Sequence, residues 1–257
     1  MNDESCLSAE ERLTPINERL TLLSRRRGLT FGTDSYLLAA FVRACPSGTA
    51  AELGGGTGVI SLLCLARGKF AHILSAEIQP EYADLIRRNA AQNGFSDRLD
   101  AWEGDVRALG VRQTGGEVNA VFSNPPYLRA DSGFGNDSDE MNAARREING
   151  TIRDFALAAA RILRWGGTFT VVYRPDRLTE LFVSLREANL EPKRMILAHP
   201  TPASPPSLVL VEAKKGAAEG LVTARPLFLY PQDPGGAYTP DMQRVYDDFS
   251  LAHLFES

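Results

Sequence analysis

Only three cysteines (Cys6, Cys45, Cys64) and three histidines (His72, His199, His253) occur in 257 residues. None falls in a C-x-x-C or H-E-x-x-H spacing, so neither a disulfide framework nor a metal centre is expected. A run of about 20 apolar residues is also missing, which excludes a spanning helix. The opening MNDESCLSAEERL carries acids where a secretory leader needs a basic start. The expectation is a cytoplasmic chain with free thiols, no metal and no membrane association. A basic excess is absent as well: 28 Lys and Arg face 32 Asp and Glu, a net charge of −4. That excludes a surface coated in positive charge but leaves room for local basic patches. What remains is the composition of an ordinary globular protein, long enough to bury about 70–75% of its unfolded surface without covalent staples.

Apolar patterning and turn residues divide the chain into three parts. Residues 1–48 read as an N-terminal arm. It is polar and loosely packed to about Leu20, and a basic hairpin turns at Arg25-Arg26-Arg27. A short helix over 35–44 follows, with Asp34 as its N-cap. Residues 49–215 alternate strands (49–53, 73–78, 99–102, 118–122, 168–173, 195–198, 208–213) with helices (59–67, 80–93, 151–163, 175–188). This order predicts an α/β fold: a doubly wound, mostly parallel seven-stranded sheet ending in an antiparallel pair. The charged, Gly/Asn-rich span 129–148 reads as a long loop, and 216–257 as an extension wrapping back on the body.

Glu52-Leu53-Gly54-Gly55-Gly56-Thr57-Gly58 follows the first strand of the series and opens a helix. Glycine suits a tight turn and a close ligand, and a helix N-terminus adds free N–H groups. Open α/β sheets bind ligands at this place. The Lys-Ser/Thr ending of a phosphate loop is missing. Glu77 ends the second strand, where a carboxylate suits a ribose diol, and Asp105 follows the third, where it can accept from an adenine amino group. Dinucleotide and S-adenosylmethionine sites share this pattern. The acid Glu52 favours the cationic sulfonium and amino group over a pyrophosphate. The series Glu52, Gly54, Gly56, Gly58, Glu77 and Asp105 resembles the cofactor site of the class I methyltransferases, with their Rossmann-like fold.

Ser123-Asn124-Pro125-Pro126-Tyr127 follows the fourth strand. Consecutive prolines fix the backbone, so the Asn124 amide and the Pro125 carbonyl can project together as two acceptors for an –NH2 group. Tyr127 offers a face on which a planar group can stack. Asn124-Pro125-Pro126-Tyr127 resembles the motif of methyltransferases that modify exocyclic or amide nitrogens: adenine N6, guanine N2 or a release-factor glutamine. That resemblance makes these four residues catalytic, with Asn124 also at the cofactor.

Flanking segments narrow the resemblance. Gly32-Thr33-Asp34-Ser35-Tyr36-Leu37-Leu38-Ala39 is similar to the stretch before the glycine loop in bacterial tRNA(Val) adenine-N6 methyltransferases. So are His199-Pro200, residues 208–217 and residues 227–239. The resemblance covers about residues 22–245 and implies tRNA as partner, with Thr33 and Asp34 near the cofactor. About 50 residues precede the glycine loop, too few for the helical domain of release-factor methyltransferases plus its linker. Candidate RNA contacts are Arg25, Arg26 and Arg27, then Arg129, Arg145 and Arg146, and Lys214 and Lys215. Two other readings stand beside this one: O-methylation of a small molecule, which requires a base or a metal, and an RNA-binding module without turnover.

Overall fold

A computed structural model describes residues 10–26, 31–125 and 150–256. The seven expected strands form: β3 (Cys45–Leu53), β4 (Phe70–Glu77), β5 (Leu99–Glu103), β6 (Val118–Ser123), β7 (Leu163–Tyr173), β8 (Leu190–His199) and β9 (Leu208–Lys215). Their order across the sheet is β8-β9-β7-β6-β3-β4-β5. Only β9 runs antiparallel, inserted between the parallel strands β7 and β8. Two short strands, β10 (Val222–Thr223) and β11 (Leu227–Phe228), extend the sheet beyond the expected seven by pairing in parallel with β8. β3 has β4 on one side and β6 on the other, so the winding reverses there and a crevice opens beyond the carboxyl ends of these strands.

Helices cover both faces. The core of one face contains residues of α1 (Thr33–Phe41), α2 (Val59–Ala66) and α3 (Pro80–Gln92). The core of the other contains residues of α4 (Ile152–Ile162) and α5 (Leu178–Glu187). Pro80 starts α3, where its missing N–H costs nothing, and Thr151 and Asp154 form a capping box on α4. Residues beyond 216 belong to the first core: Met242 and Val245 of α6 (Pro240–Asp248), with Phe249, Leu251 and Leu254, are buried there. No helix among the described residues is long and apolar enough to cross a membrane.

The arm departs from its sequence reading. β1 (Glu11–Pro15) pairs with β2 (Thr21–Arg25), so the hairpin turns at residues 16–20, and Arg25 and Arg26 lie at its far end. Asn89 of α3 and Asn93, the residue that caps its C-terminus one turn later, hold β2 in place. Asn89 accepts from the Leu23 N–H (2.7 Å) and donates to its carbonyl (2.9 Å); Asn93 does the same for Thr21 at 2.9 and 2.8 Å. These bonds pair backbone groups that the hairpin leaves open, and Arg88 adds a two-pronged ion pair to Glu11.

α1 begins at Thr33 with Gly32 as its N-cap, not Asp34, whose side chain is turned to another use described below. Its C-terminus is closed by the buried Lys69, whose Nζ donates to the carbonyls of Ala39 (2.7 Å), Ala40 (3.0 Å) and Val42 (2.6 Å). An ammonium there meets both the unpaired carbonyls and the negative end of the helix dipole. Lys69→Met keeps the stem and removes the cap, and should cost about 2–4 kcal/mol, read as a lowered urea midpoint at unchanged m-value.

Candidate active site

The crevice over β3, β4, β5 and β6 holds a cavity lined by Gly54, Gly56, Ala76, Glu77, Ile78, Gln79, Asp105, Val106, Asn124 and Phe155. Four separate strand ends thus contribute to one place. The loop after β3 is shaped by its glycines: Gly54, Gly56 and Gly58 have φ of +74°, +53° and +78°, values that side chains rarely accept. Gly55 is excluded from carrying a side chain for another reason. A Cβ there would stand 2.0 Å from Ser75 Oγ and 2.9 Å from Ile86 Cδ1.

Glu77 ties this loop to the end of β4. One carboxylate oxygen accepts from the Gly56 N–H at 2.8 Å, the other from the Gln79 N–H at 3.0 Å. Each oxygen keeps a further lone pair for a ligand hydroxyl. Asp105 stands across the cavity, where it accepts from Arg107 through the backbone N–H (2.8 Å) and Nε (2.8 Å). The Arg107 side-chain hydrogen bond holds its carboxyl below the ordinary range. Ile78, Val106 and Phe155 give the cavity apolar walls. No sequence pattern points to Phe155, which enters from α4, one turn beyond its cap.

Asn124 follows β6. Its Nδ2 donates to Asp34 Oδ2 at 2.9 Å, with Ser35 Oγ at 3.5 Å. Its Oδ1 is buried and has no hydrogen-bond partner among the described residues. An acceptor held in this way fits an incoming N–H group, because a buried polar atom left unpaired is costly. Asp34 and Thr33 are not among the residues lining the cavity; Asp34 reaches Asn124 instead.

Glu52 is also displaced from its expected role. It is fully buried beneath the glycine loop and does not line the cavity. One of its oxygens, Oε2, accepts from Ser61 of α2 and from Ser75 of β4 (3.2 Å), while Oε1 has no partner among the described residues. Burial pushes its pKa up to about 8, so near neutrality it carries little charge to offer a cation. The reason is strand alternation: Glu52 points to the same side as Ala50, into the core beneath α2.

The basic candidates are separated. Arg25 lies within 3.8 Å of Glu81, in the first turn of α3 and close to the cavity residue Gln79, but Glu10 and Glu81 both offset its charge. Arg26 is exposed beside it. Lys214 is paired with Glu191 and Lys215 with Leu190, at the beginning of β8, which runs parallel to β7 and β6, and so at the end of the sheet opposite the cavity. The antiparallel course of β9 carries them there. Pro125 is buried, whereas Pro126, Tyr127, Arg27, Arg129, Arg145 and Arg146 lie outside the described residues. Among the described residues no group of three or more His, Cys, Asp or Glu side chains is placed to hold a metal ion.

The family described as Methyltransferase small domain matches residues 26–188. A Porphyromonas gingivalis protein named tRNA1(Val) (adenine(37)-N6)-methyltransferase is 27% identical over 228 residues, covering 85% of this chain and 87% of that protein. A Vibrio campbellii protein of the same name is 26% identical, covering 87% of this chain and 90% of its own. Among solved structures, a predicted O-methyltransferase from Agrobacterium tumefaciens superposes with a TM-score of 0.67 at 24% identity, over 85% of this chain and 97% of its own. TYW2 of M. jannaschii in complex with AdoMet gives a TM-score of 0.55 at 10% identity, over 80% and 86%. These two likenesses concern the fold.

Proposed function

The chain belongs to the Methyltransferase small domain family and is an S-adenosylmethionine-dependent methyltransferase, and from that premise we propose that its acceptor is an exocyclic amino nitrogen of RNA: adenine N6 in tRNA, beside the anticodon. The observation that carries this reading is the Asn124 amide, whose Oδ1 is buried, unpaired among the described residues, and set at the edge of the cavity. A primary amine brings two N–H donors to meet it and the Pro125 carbonyl. A hydroxyl acceptor brings only one, and it needs a base to remove that proton. The names of the Porphyromonas gingivalis and Vibrio campbellii relatives, which specify adenine 37 of a valine tRNA, support this finer reading.

The cavity suits the cofactor by the chemistry of its donor set. Glu77 would hold the ribose hydroxyls with its remaining lone pairs, Asp105 the adenine amino group, and Ile78, Val106 and Phe155 the adenine faces. Gly54 and Gly56 let the backbone approach, Gly58 turns the chain into α2, and Glu52 ties α2 to β4 through Ser61 and Ser75. S-adenosylmethionine supplies an electrophilic methyl group, so the protein's own task is to aim the acceptor nitrogen. Asn124 and Pro125 would draw the amino hydrogens into the amide plane and free the nitrogen lone pair, with Pro126 and Tyr127 completing the motif.

Incubation with radiolabelled cofactor and bulk tRNA from a strain lacking the gene tests this directly. The expected product, after digestion to nucleosides, is N6-methyladenosine. Label in another nucleoside, in protein, or nowhere overturns the assignment.

A further inference from the structure

A primary amide has a donor end and an acceptor end of nearly the same shape, so an asparagine side chain turns over at little steric cost. For Asn124 the difference is decisive. With Oδ1 toward the acceptor it receives an N–H, and with Nδ2 there, two donors face each other.

We propose that Asp34 is the positioning residue that settles this choice: its carboxylate accepts from Nδ2 at 2.9 Å and thereby turns Oδ1 toward the acceptor nitrogen. A carboxylate has no proton to donate, so it tolerates only one of the two amide orientations. Ser35 Oγ, 3.5 Å from the same nitrogen, cannot select, because a hydroxyl both donates and accepts. Asp34 is itself held, since its Oδ1 accepts from the Ser35 N–H at 2.8 Å on the first turn of α1. The far end of that helix is fixed by the Lys69 cap. The unpaired Oδ1 of Asn124 is the outcome of this arrangement. The inference rests on the proposed role of Asn124 and reassigns Asp34 from the cofactor to the amide.

An exchange of the two side chains tests it. Asp34→Asn keeps the shape and loses the selection; kcat should fall about 10–100-fold while the KM for S-adenosylmethionine stays within about threefold. Asn124→Asp sets two carboxylates within hydrogen-bond distance and should lose at least about 100-fold. In the double variant, Asp34→Asn with Asn124→Asp, the two groups trade places. The amide at position 34 then donates to the carboxylate at position 124, whose second oxygen still faces the acceptor. Activity should therefore recover at least about tenfold over Asn124→Asp alone. Losses that multiply, or a cofactor KM raised in proportion to the loss of kcat, overturn the proposal. A wild-type protein that methylates no RNA would sink the substrate reading alone. The clamp is then decided by hydrogen exchange of the Asn124 side-chain amide, which Asp34→Ala should speed by about tenfold. Unchanged exchange overturns it.

Discussion

Asn124→Ala should lower the single-turnover rate of methyl transfer by about 10²–10³-fold and leave the dissociation constant for S-adenosylmethionine within about threefold of wild type. The amino nitrogen of adenine is a poor nucleophile because its lone pair is spread into the ring. In the proposed function two acceptors, the Asn124 amide and the Pro125 carbonyl, bind its hydrogens, restore density to the nitrogen and hold the lone pair on the line of attack. Alanine removes one of them at a buried position, where a hydrogen bond counts for more than it does in water. The loop itself should survive, because Pro125 restricts the backbone and the Ser123 hydroxyl still donates to the Leu53 carbonyl at 2.7 Å. Calorimetric titration with the cofactor, paired with rapid-quench transfer to tRNA, separates the two effects. A cofactor affinity that falls as far as the rate would make Asn124 a structural residue of the cavity.

The parts of the site legible in the sequence are those set by local rules. Gly54, Glu77, Asp105 and Asn124 each lie at or just past the end of a parallel strand, and strand–helix alternation alone places such ends along one edge. What escapes the sequence depends on partners distant along the chain. Asp34 carries the ordinary marks of a helix N-cap; only folding shows that its carboxylate meets an amide 90 residues later. The hairpin escapes because a basic tripeptide looks like a turn, whereas β2 is held by Asn89 and Asn93, ordinary polar residues of a surface helix by sequence. Lys214 and Lys215 read as RNA contacts because sequence shows a charge and not the direction of the strand that carries it. Reversal of β9 puts them at the wrong end for the cavity.

Glu52 escapes for a related reason, and its burial has the second large consequence. Its pKa is raised to about 8 by desolvation, against an ordinary value of 4.5. The folded protein therefore holds this proton more tightly than the unfolded chain does. The stabilisation is fully present below about pH 4.5, declines as the unfolded chain ionises, and is spent once the pH passes about 8. Across that window stability should fall by up to about 1.4 kcal/mol per pH unit from this group, a total of a few kcal/mol. Glu52→Gln has nearly the shape of the protonated acid and can still accept from Ser61 and Ser75, but cannot ionise. At pH 5 the two proteins should melt within about 2 °C of each other, and at pH 8.5 the variant should melt roughly 5–10 °C higher. The comparison cancels every other titrating group, since both chains share them. Parallel melting curves across the range would mean that Glu52 ionises in the folded state as it does in water. The glycine loop would then stand over a buried charge after all, and the electrostatic attraction of a cationic cofactor to Glu52, which its burial as a neutral acid removes, would return.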